Sequence, residues 1–411
     1  MKNHYDIVIV GGGMVGASLA VALEPLQLSI AVIEAWPIES DAQPSYDDRS
    51  TAVAEGSRRI FEAMDCWDDI APDATPITHI HISDRGRFGF TRIVSADYGV
   101  KALGHVVENR HLGAVLWRRM QASKTIDLVA PARVEAVRSS SADSKTAVVR
   151  VERDGGSTQE VAASLVVAAD GVRSRVREII GLGTSNWDYE QVAIIANISA
   201  ARHHENQAFE RFTESGPLAL LPMSGGRCSL VWTLAPDEAS SVMELGDEEF
   251  LAALQDAFGY RLGRMCQTGK RVAYPLSLTR ALEQSAGRVL LVGNASHGIH
   301  PVGGQGFNLG LRDVATLAEI VADSGSDGLT AGCSTLIDNY VRWRTPDHNN
   351  VMAFTDSLIR VFTNPLAPVK LARALGLIGL DLVPAAKDNL ARRTMGLHGR
   401  LPRLARGLPL S

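Results

Sequence analysis

The chain has 411 residues, 45% of them hydrophobic and 21% charged, with a formal net charge of −5. That length supports two or three domains around a sizeable core, the composition excludes a disordered or collagen-like chain, and the acidic average gives no reason to expect a nucleic-acid partner. The four cysteines, Cys66, Cys228, Cys266 and Cys333, form no Cys-x-x-Cys, which argues against a zinc ribbon or disulfide framework and for a reducing, cytoplasmic setting.

At the N-terminus, "MKNHYDIVIVGGGMVGASLAVAL" has an early Lys2 and then no charge from Ile7 to Leu23, which imitates a secretory signal. Asp6 ahead of the apolar run and the glycines inside it suit a strand–turn–helix unit better. Ile7 to Val10 reads as a strand buried on both faces, and Ala17 to Leu23 as a helix. Between them Gly11, Gly13 and Gly16 form G-x-G-x-x-G. Glycines there permit a tight turn and a close approach to a pyrophosphate, which the free N–H groups of the helix start attract. Alone this is a weak signal. A second apolar run, "SIAVIE", ends in Glu34, 18 residues after Gly16, near the spacing at which an acid holds ribose hydroxyls. The combination predicts a dinucleotide-binding unit without saying which dinucleotide.

Further on, "SLVVAADGVRSRVR" (Ser164 to Arg177) is an apolar strand closed by Asp170-Gly171 and a helix start; by itself it is a common Asp-Gly turn. From about 184 to 280, "VAIIANISA", "AFERFT", "LALLPM" and "CSLVWTL" are short β-type runs, and "DEEFLAALQDAFG" is a helix. They predict an antiparallel sheet with helices. "RVLLVGNASHGIHP" is a strand with a polar turn, and "VGGQGFNLGLRDVATLAEIVA" leads through glycines into an amphipathic helix. His297 and His300 are three apart, but the Gly/Pro setting favours a loop and no third ligand is evident, so no metal site is expected.

In the tail, Ser357 to Ser411 carries nine Lys/Arg against Asp381 and Asp388, so this segment is +7 on a body of −12. "LAPVKLARALGLIGLDLV" places Leu371, Leu375, Ile378 and Leu382 at helical spacing. This is either a helix packed on the body or a basic amphipathic segment that docks on an anionic bilayer. No uninterrupted apolar stretch reaches membrane-spanning length.

The three strand–turn–helix motifs, in this order, resemble the flavoprotein aromatic hydroxylases of the para-hydroxybenzoate hydroxylase type. The first match is Gly11, Gly13 and Gly16 with Glu34. The second is D-G-x-x-S-x-x-R, here Asp170, Gly171, Ser174 and Arg177. The third is G-D-A-x-H-x-x-x-P, here Gly293, Asn294, Ala295, His297 and Pro301. Asn294 stands where the family has an acid; an amide can still bond a ribityl hydroxyl but adds no charge. Four longer stretches, "DDRSTAVAEGSRRIFEAMDCWDDI", "HISDRGRFGFTRIVSADYGVKALGHVVENRHL", "AFERFTESGPLALLPMSGGRCSLVW" and "HPVGGQGFNLGLRDV", look like the ubiquinone-biosynthesis branch, within it the 2-polyprenyl-6-methoxyphenol hydroxylases. The resemblance runs from Tyr5 to about Leu397.

The resemblance implies an α/β fold with an α+β insert. A Rossmann-like FAD-binding domain would take residues 1–75, 100–183 and 285–345, an antiparallel-sheet substrate domain 76–99 and 184–284, and a C-terminal helical region 346–411. FAD would be the cofactor and NAD(P)H the co-substrate. Glu34 would bind the adenosine ribose, Arg49 approach the flavin, and Asn109 or Arg110 lie near the pyrophosphate. Val134 would meet the adenine through its backbone, and Asp170 with Gly171 would reach the phosphates and ribityl chain. Gly293, Asn294 and Pro301 would flank the flavin, while Gly303, Gly304, Gln305, Gly306 and Asn308 lay glycine backbone and a helix start against the flat ring. The implied reaction uses O2 through a flavin C4a-hydroperoxide to hydroxylate a polyprenyl phenol, 2-polyprenyl-6-methoxyphenol giving the 1,4-benzoquinol. Implied partners are that phenol, other quinone-biosynthesis proteins and the inner face of a membrane, touched peripherally through the basic tail. No motif names a phenolate-activating group; His297 and His300 are candidates by polarity only. Hydroxylation at another ring position, or a non-hydroxylating FAD oxidoreductase of the same fold, stays open.

Overall fold

The computed structural model describes residues 1–37, 49–139, 145–299, 304–330, 333–364 and 366–410. The continuous apolar runs form the middle of a sheet with eight strands among the described residues. Its order is Ser285–Ala286, Val289–Leu291, Thr158–Ala168, His4–Val10, Ile30–Ile33 and Ile126–Val129. His4–Val10 lies parallel to both neighbours, with Ile7 opposite Leu165 on one side and Ile30 on the other. Helices cover one face of this sheet, where Ile7 and Ile9 pack with Leu19, Leu116 and Val314. A ribbon of strands Ala132–Ser139 and Ala147–Arg153 covers the other, where Tyr5 and Val8 meet Val137 and Val149. Cover on both faces is why these strands read as unbroken apolar runs rather than alternating ones.

This order places the three motifs together. The turns at Gly11, Asp170 and Gly293 follow His4–Val10, Thr158–Ala168 and Val289–Leu291, three adjacent parallel strands. Residues more than a hundred positions apart therefore meet at one carboxyl edge, where open α/β sheets bind ligands.

A second sheet has nine strands among the described residues. It runs His297–Gly298, Val272–Ala281, Thr184–Ala200, Arg227–Leu234, Pro217–Pro222, Gln207–Phe212, His79–Asp84 and Phe90–Val94, with Met265–Thr268 pairing to the long third strand. Its pairings are antiparallel except for Gln207–Phe212 on His79–Asp84, which run parallel because the latter strand comes from far upstream in the chain. One face carries the helices Pro236–Glu244 and Asp247–Phe258, with Phe250 and Leu254 packed on Ile194, Leu218 and Leu230. The other face looks onto a cavity. A small sheet of Ser50–Ala54, Gly104–Glu108 and Thr75–Ile77 bridges the two large ones.

The helices Gln305–Thr330 and Cys333–Thr363 lead into the C-terminal helix Ala367–Leu382. That helix lies across the His79–Asp84/Phe90–Val94 hairpin. Thr91 Oγ1 donates to the Leu377 carbonyl at 2.6 Å, Arg373 pairs with Asp84 at 3.2 Å, and a Cβ on Gly89 would overlap the Ala374 carbonyl. The last residues turn back to the first sheet, where Leu404 and Leu410 are buried with Ile60 and Phe61.

Candidate active site

A cavity of about 2080 Å³ opens between the sheets, under the three motif turns. Single ligand pockets run to ~300–1,000 Å³, so this one has room for a dinucleotide and a second molecule.

The first turn is built for close approach. Gly11 has φ +100° and a Cβ there would lie 2.6 Å from the Ala169 carbonyl oxygen. A Cβ on Gly16 would overlap the Gly11 carbonyl, so Gly16 packs helix against turn and does not line the cavity. Gly11 and Gly13 do. The helix Met14–Leu23 starts at Gly13 with no side-chain cap and no acid in its first turn. Its free N–H groups and positive dipole end are open to an anion. Glu34 closes this corner: Oε2 accepts from the Gly12 N–H at 2.7 Å and Oε1 from the Trp36 N–H at 2.9 Å.

The second turn supplies a carboxylate with one free edge. Asp170 Oδ2 accepts from the Val176 N–H at 3.0 Å, while Oδ1 is buried with no hydrogen-bond partner among the described residues. Burial raises the pKa of this carboxyl, against the hydrogen bonds from Ser174 and Val176 that favour its charge. Asp170 and Gly171 both line the cavity. The arginine of this motif has a structural role. Arg177 is buried and donates to the Ala295 carbonyl at 2.7 Å and the Val172 carbonyl at 2.8 Å, tying the second turn to the third.

At the third turn, Gly293 has φ +57° and a Cβ there would sit 3.0 Å from Val15, so it serves packing while its neighbour Asn294 faces the cavity. Gly304, Gln305, Gly306 and Asn308 line the cavity at the start of the Gln305–Thr330 helix. The amide of Asn308 is fully engaged: Oδ1 accepts from the Ala54 N–H at 2.9 Å, and Nδ2 donates to the Ala52 carbonyl at 2.8 Å and the Gly304 carbonyl at 2.6 Å. It positions the helix start against the small sheet. Pro301, Gly303 and His300 lie outside the described residues.

The remaining expected residues divide. Arg49 lines the cavity with its guanidinium 5.0 Å from the Tyr274 ring centre, and Val134 and Asn109 line it too. The Asn109 amide oxygen accepts from Thr51 Oγ1 at 2.7 Å. Arg110 does not line it: its side chain is 64% exposed and pairs with Glu108 at 3.0 Å. At this edge Asn109 and not Arg110 faces the cavity, because the helix that starts at Asn109 turns successive side chains about 100° apart.

Behind the third turn lies a network the sequence does not announce. Asp313 Oδ2 accepts from the Gly293 N–H at 3.1 Å and bonds His297 Nε2 at 2.8 Å. Its Oδ1 accepts from Arg344 Nε and bonds His348 Nε2, both at 2.6 Å. Arg344 continues to Asp347 at 2.7 Å, which also meets Arg312 at 2.8 Å. Burial opposes the charge on Asp313, but His348, Arg344 and His297 outweigh it and hold the carboxyl well below the usual range. Burial pushes His348 down to about 4, so it is neutral at pH 7 and donates its Nε2 proton to the carboxylate. His297, Asp313 and His348 bring ligand-capable atoms within 4.8 Å of one another, so His297 has two partners that the sequence did not lead one to expect. The Arg344 guanidinium already supplies the positive charge at Asp313, so the cluster reads as a buried ion network that fixes the turn rather than a cation site. Its sequence signal is a carboxylate on the buried face of an amphipathic helix, between Leu309 and Leu317.

The far end of the cavity is apolar. Ile80, Ile82, Ala219 and Val231 wall it from the second sheet, and Phe354, Leu358 and Leu377 from the C-terminal helices. One carboxylate, Glu210, sits on the sheet wall.

The sequence model for the family described as FAD binding domain matches residues 4–355. Among curated proteins, the chain is 40% identical over 408 residues to "Ubiquinone hydroxylase UbiL" of Rhodospirillum rubrum, covering 98% of this chain and 93% of that one. It is 29% identical to "3-demethoxyubiquinol 3-hydroxylase" of Escherichia coli, over 95% of this chain and 98% of the relative. It is 28% identical to human "Ubiquinone biosynthesis monooxygenase COQ6, mitochondrial", over 94% and 91%. Among solved structures, p-nitrophenol 4-monooxygenase from Pseudomonas putida superposes with a TM-score of 0.79 at 18% identity, covering 97% of this chain and all of that one, which shows a shared fold. With the family model spanning both the Gly11 and Gly293 turns and the Rhodospirillum relative matching nearly end to end, the chain belongs to the FAD-binding monooxygenase family and is an FAD-dependent monooxygenase.

Proposed function

We propose that this protein hydroxylates a polyprenyl phenol in ubiquinone biosynthesis, using NAD(P)H and O2, and that its reaction converts 2-polyprenyl-6-methoxyphenol to the 1,4-benzoquinol. The observation that carries this is the continuity of one cavity, from a polar dinucleotide cradle at three motif turns to an apolar chamber under the C-terminal helices. The names of the relatives support the pathway. The residues fit FAD: a cradle that side chains would fill at Gly11, an uncapped helix start, and an orphaned buried oxygen on Asp170. Glu34 would hold the adenosine ribose, Val134 the adenine, and the N-terminus of Met14–Leu23 the pyrophosphate, with Asn109 beside it. Asp170 and Asn294 would hold the ribityl chain, with Arg49 near the flavin. Gly304, Gln305 and Gly306, with Pro301 and Gly303 by resemblance, would face its ring. When bound, FAD supplies the redox chemistry, passing two electrons from NAD(P)H to O2 so that one oxygen atom enters the phenol and the other leaves as water. The chain itself orients the phenol in the apolar chamber and keeps water out.

The outer face of the Ala367–Leu382 helix supports membrane contact. Leu371, Leu375 and Leu382 are 53%, 55% and 74% exposed, and Val383 beyond them 50%. The inner face of the same helix lines the cavity through Ala372, Gly376 and Leu380. One helix thus separates the chamber from a greasy outer surface, and a prenylated phenol would pass beside it from a bilayer. No described helix is long and apolar enough to cross a membrane. Hydroxylation at another ring position is the second reading, favoured by the Escherichia coli relative's name. Mass spectrometry of quinone-pathway lipids in cells lacking the protein separates them: the accumulated precursor lacks the oxygen this enzyme adds. A normal quinone profile would refute both.

A further inference from the structure

We infer that Glu210 is the catalytic residue that takes the proton from the ring hydroxyl of the substrate. The inference rests on the hydroxylase reading above. No motif marks this residue, and it lies in none of the three turns.

Its placement follows from strand alternation. On Gln207–Phe212, Ala208, Glu210 and Phe212 line the cavity; Phe209 touches it too, but its ring packs into the core under the helices, edge-on to Phe258. Glu210 stands opposite Ala219 on one neighbouring strand and Ile82 on the other, and both of these also line the cavity. Ala208 packs with Ile77 and Val106. Val106 is opposite Ala52. Ala52 holds Asn308 through its carbonyl and faces Gly304, where a Cβ would lie 3.1 Å from the Ala52 side chain. From the ring-facing helix start to Ala208 there is therefore a short chain of direct contacts. Two residues further along the strand, ~7 Å, comes the Glu210 carboxyl. A phenol ring in the chamber, beside a flavin held on the Gly304–Gly306 backbone, has this carboxyl on its wall.

Glu210 has no hydrogen bond or ion pair with any described residue. Of the charged groups that line the same chamber, Arg373 pairs with Asp84 at 3.2 Å, Arg49 lies over Tyr274, and Arg393 lies on the helical wall. His81, on the adjacent strand, and Arg211, on the same strand, project to the opposite face by alternation. Glu210 is half-buried, open to the cavity alone among the described charged groups of this wall, and a carboxyl on an apolar wall without a described partner is a candidate for chemistry. Burial alone pushes its pKa up to about 7. A group poised there is matched to accept a proton at neutral pH. In the step, the phenol O–H bond breaks and a new O–H bond forms on a Glu210 carboxylate oxygen. The lone pair freed on the phenol oxygen enriches the ortho and para ring carbons, one of which receives the oxygen atom. Glu210 passes its proton to water when the product leaves.

The test uses full-length protein loaded with FAD and the synthetic probe 2-farnesyl-6-methoxyphenol in detergent, with E210Q and E210D. Two quantities are read against pH: the ultraviolet phenolate signature of the bound probe, and product formed per NADPH oxidised. In the wild type, product per NADPH oxidised is expected to rise with pH through a midpoint near neutrality as Glu210 ionises, with the phenolate signature appearing alongside it. E210Q is expected to keep FAD and probe binding, to lose that rise, and to lose ~10²–10⁴-fold in product while NADPH oxidation continues. E210D restores part of the product. An E210Q enzyme with wild-type product yield and pH profile overturns the inference, as does loss of FAD from both variants, which would make the role structural. A wild type that ionises the bound probe but never hydroxylates it refutes the hydroxylase reading while leaving Glu210 as the proton acceptor.

Discussion

Asp170 and Asp313 show two opposite uses of a buried carboxylate. Asp170 keeps one oxygen without a partner among the described residues, where a ligand's hydroxyl would donate. D170A should abolish flavin retention on gel filtration, read as loss of the yellow absorbance, with little change in the circular dichroism. Asp313 has every lone pair taken. D313A would take from the buried Arg344 guanidinium one of its two carboxylate partners, leaving Asp347, and loss of one partner of a buried pair costs up to ~3–5 kcal/mol; urea unfolding should show a drop. Because the folded-state pKa of Asp313 is depressed, its contribution is present above the unfolded value and lost as pH falls through the folded one, so the D313A deficit should shrink in acid. Glu210 has the opposite sign. Its folded pKa is raised from 4.5 to about 7, so the folded state binds the extra proton and stability falls as pH rises between those values. E210Q should remove that fall: without ligand, its melting temperature relative to wild type should rise from pH 5 to pH 8. At this scale the sequence was most readable where geometry forces a residue type, as at Gly11 and Asp170. Asp313, His348 and Glu210 were not readable, because a carboxylate or imidazole on an amphipathic element looks the same whether it meets solvent, an ion network or a cavity.

The Ala367–Leu382 helix shows what periodicity can and cannot say about an element. The spacing of Leu371, Leu375, Ile378 and Leu382 does mark a helix, but that stripe is its outer face. The packed face is Ala374 and Leu377, with Arg373 buried against Asp84. Arg373, counted among the tail's basic residues, is therefore unavailable to a lipid headgroup. A helix that is apolar on two sides offers two candidate packing faces, and only tertiary contacts choose between them. The outer stripe carries a prediction. A triple L371E/L375E/L382E variant should lose cosedimentation with vesicles of anionic phospholipid while retaining FAD and the ability to oxidise NADPH. Unchanged vesicle binding would assign the stripe to another partner.

Across the whole molecule, function follows from strand order. Three turns that are 159 and 123 residues apart, at positions 11, 170 and 293, come together because their strands are adjacent and parallel. Sequence order alone could not place them side by side; family resemblance could, because it imports a topology. The second sheet was legible as β-rich, but its parallel pair, Gln207–Phe212 on His79–Asp84, was hidden because the partner strand lies far upstream. That pair sets Glu210 beside Ile82 in the chamber wall. The most direct test of the account is to give the purified, FAD-loaded protein NADPH, isotopically heavy dioxygen and 2-farnesyl-6-methoxyphenol, and to weigh the product. The account predicts a quinol with one heavy oxygen on its ring, formed together with heavy water. NADPH oxidation that yields only hydrogen peroxide and unchanged phenol, with FAD fully bound, would contradict it.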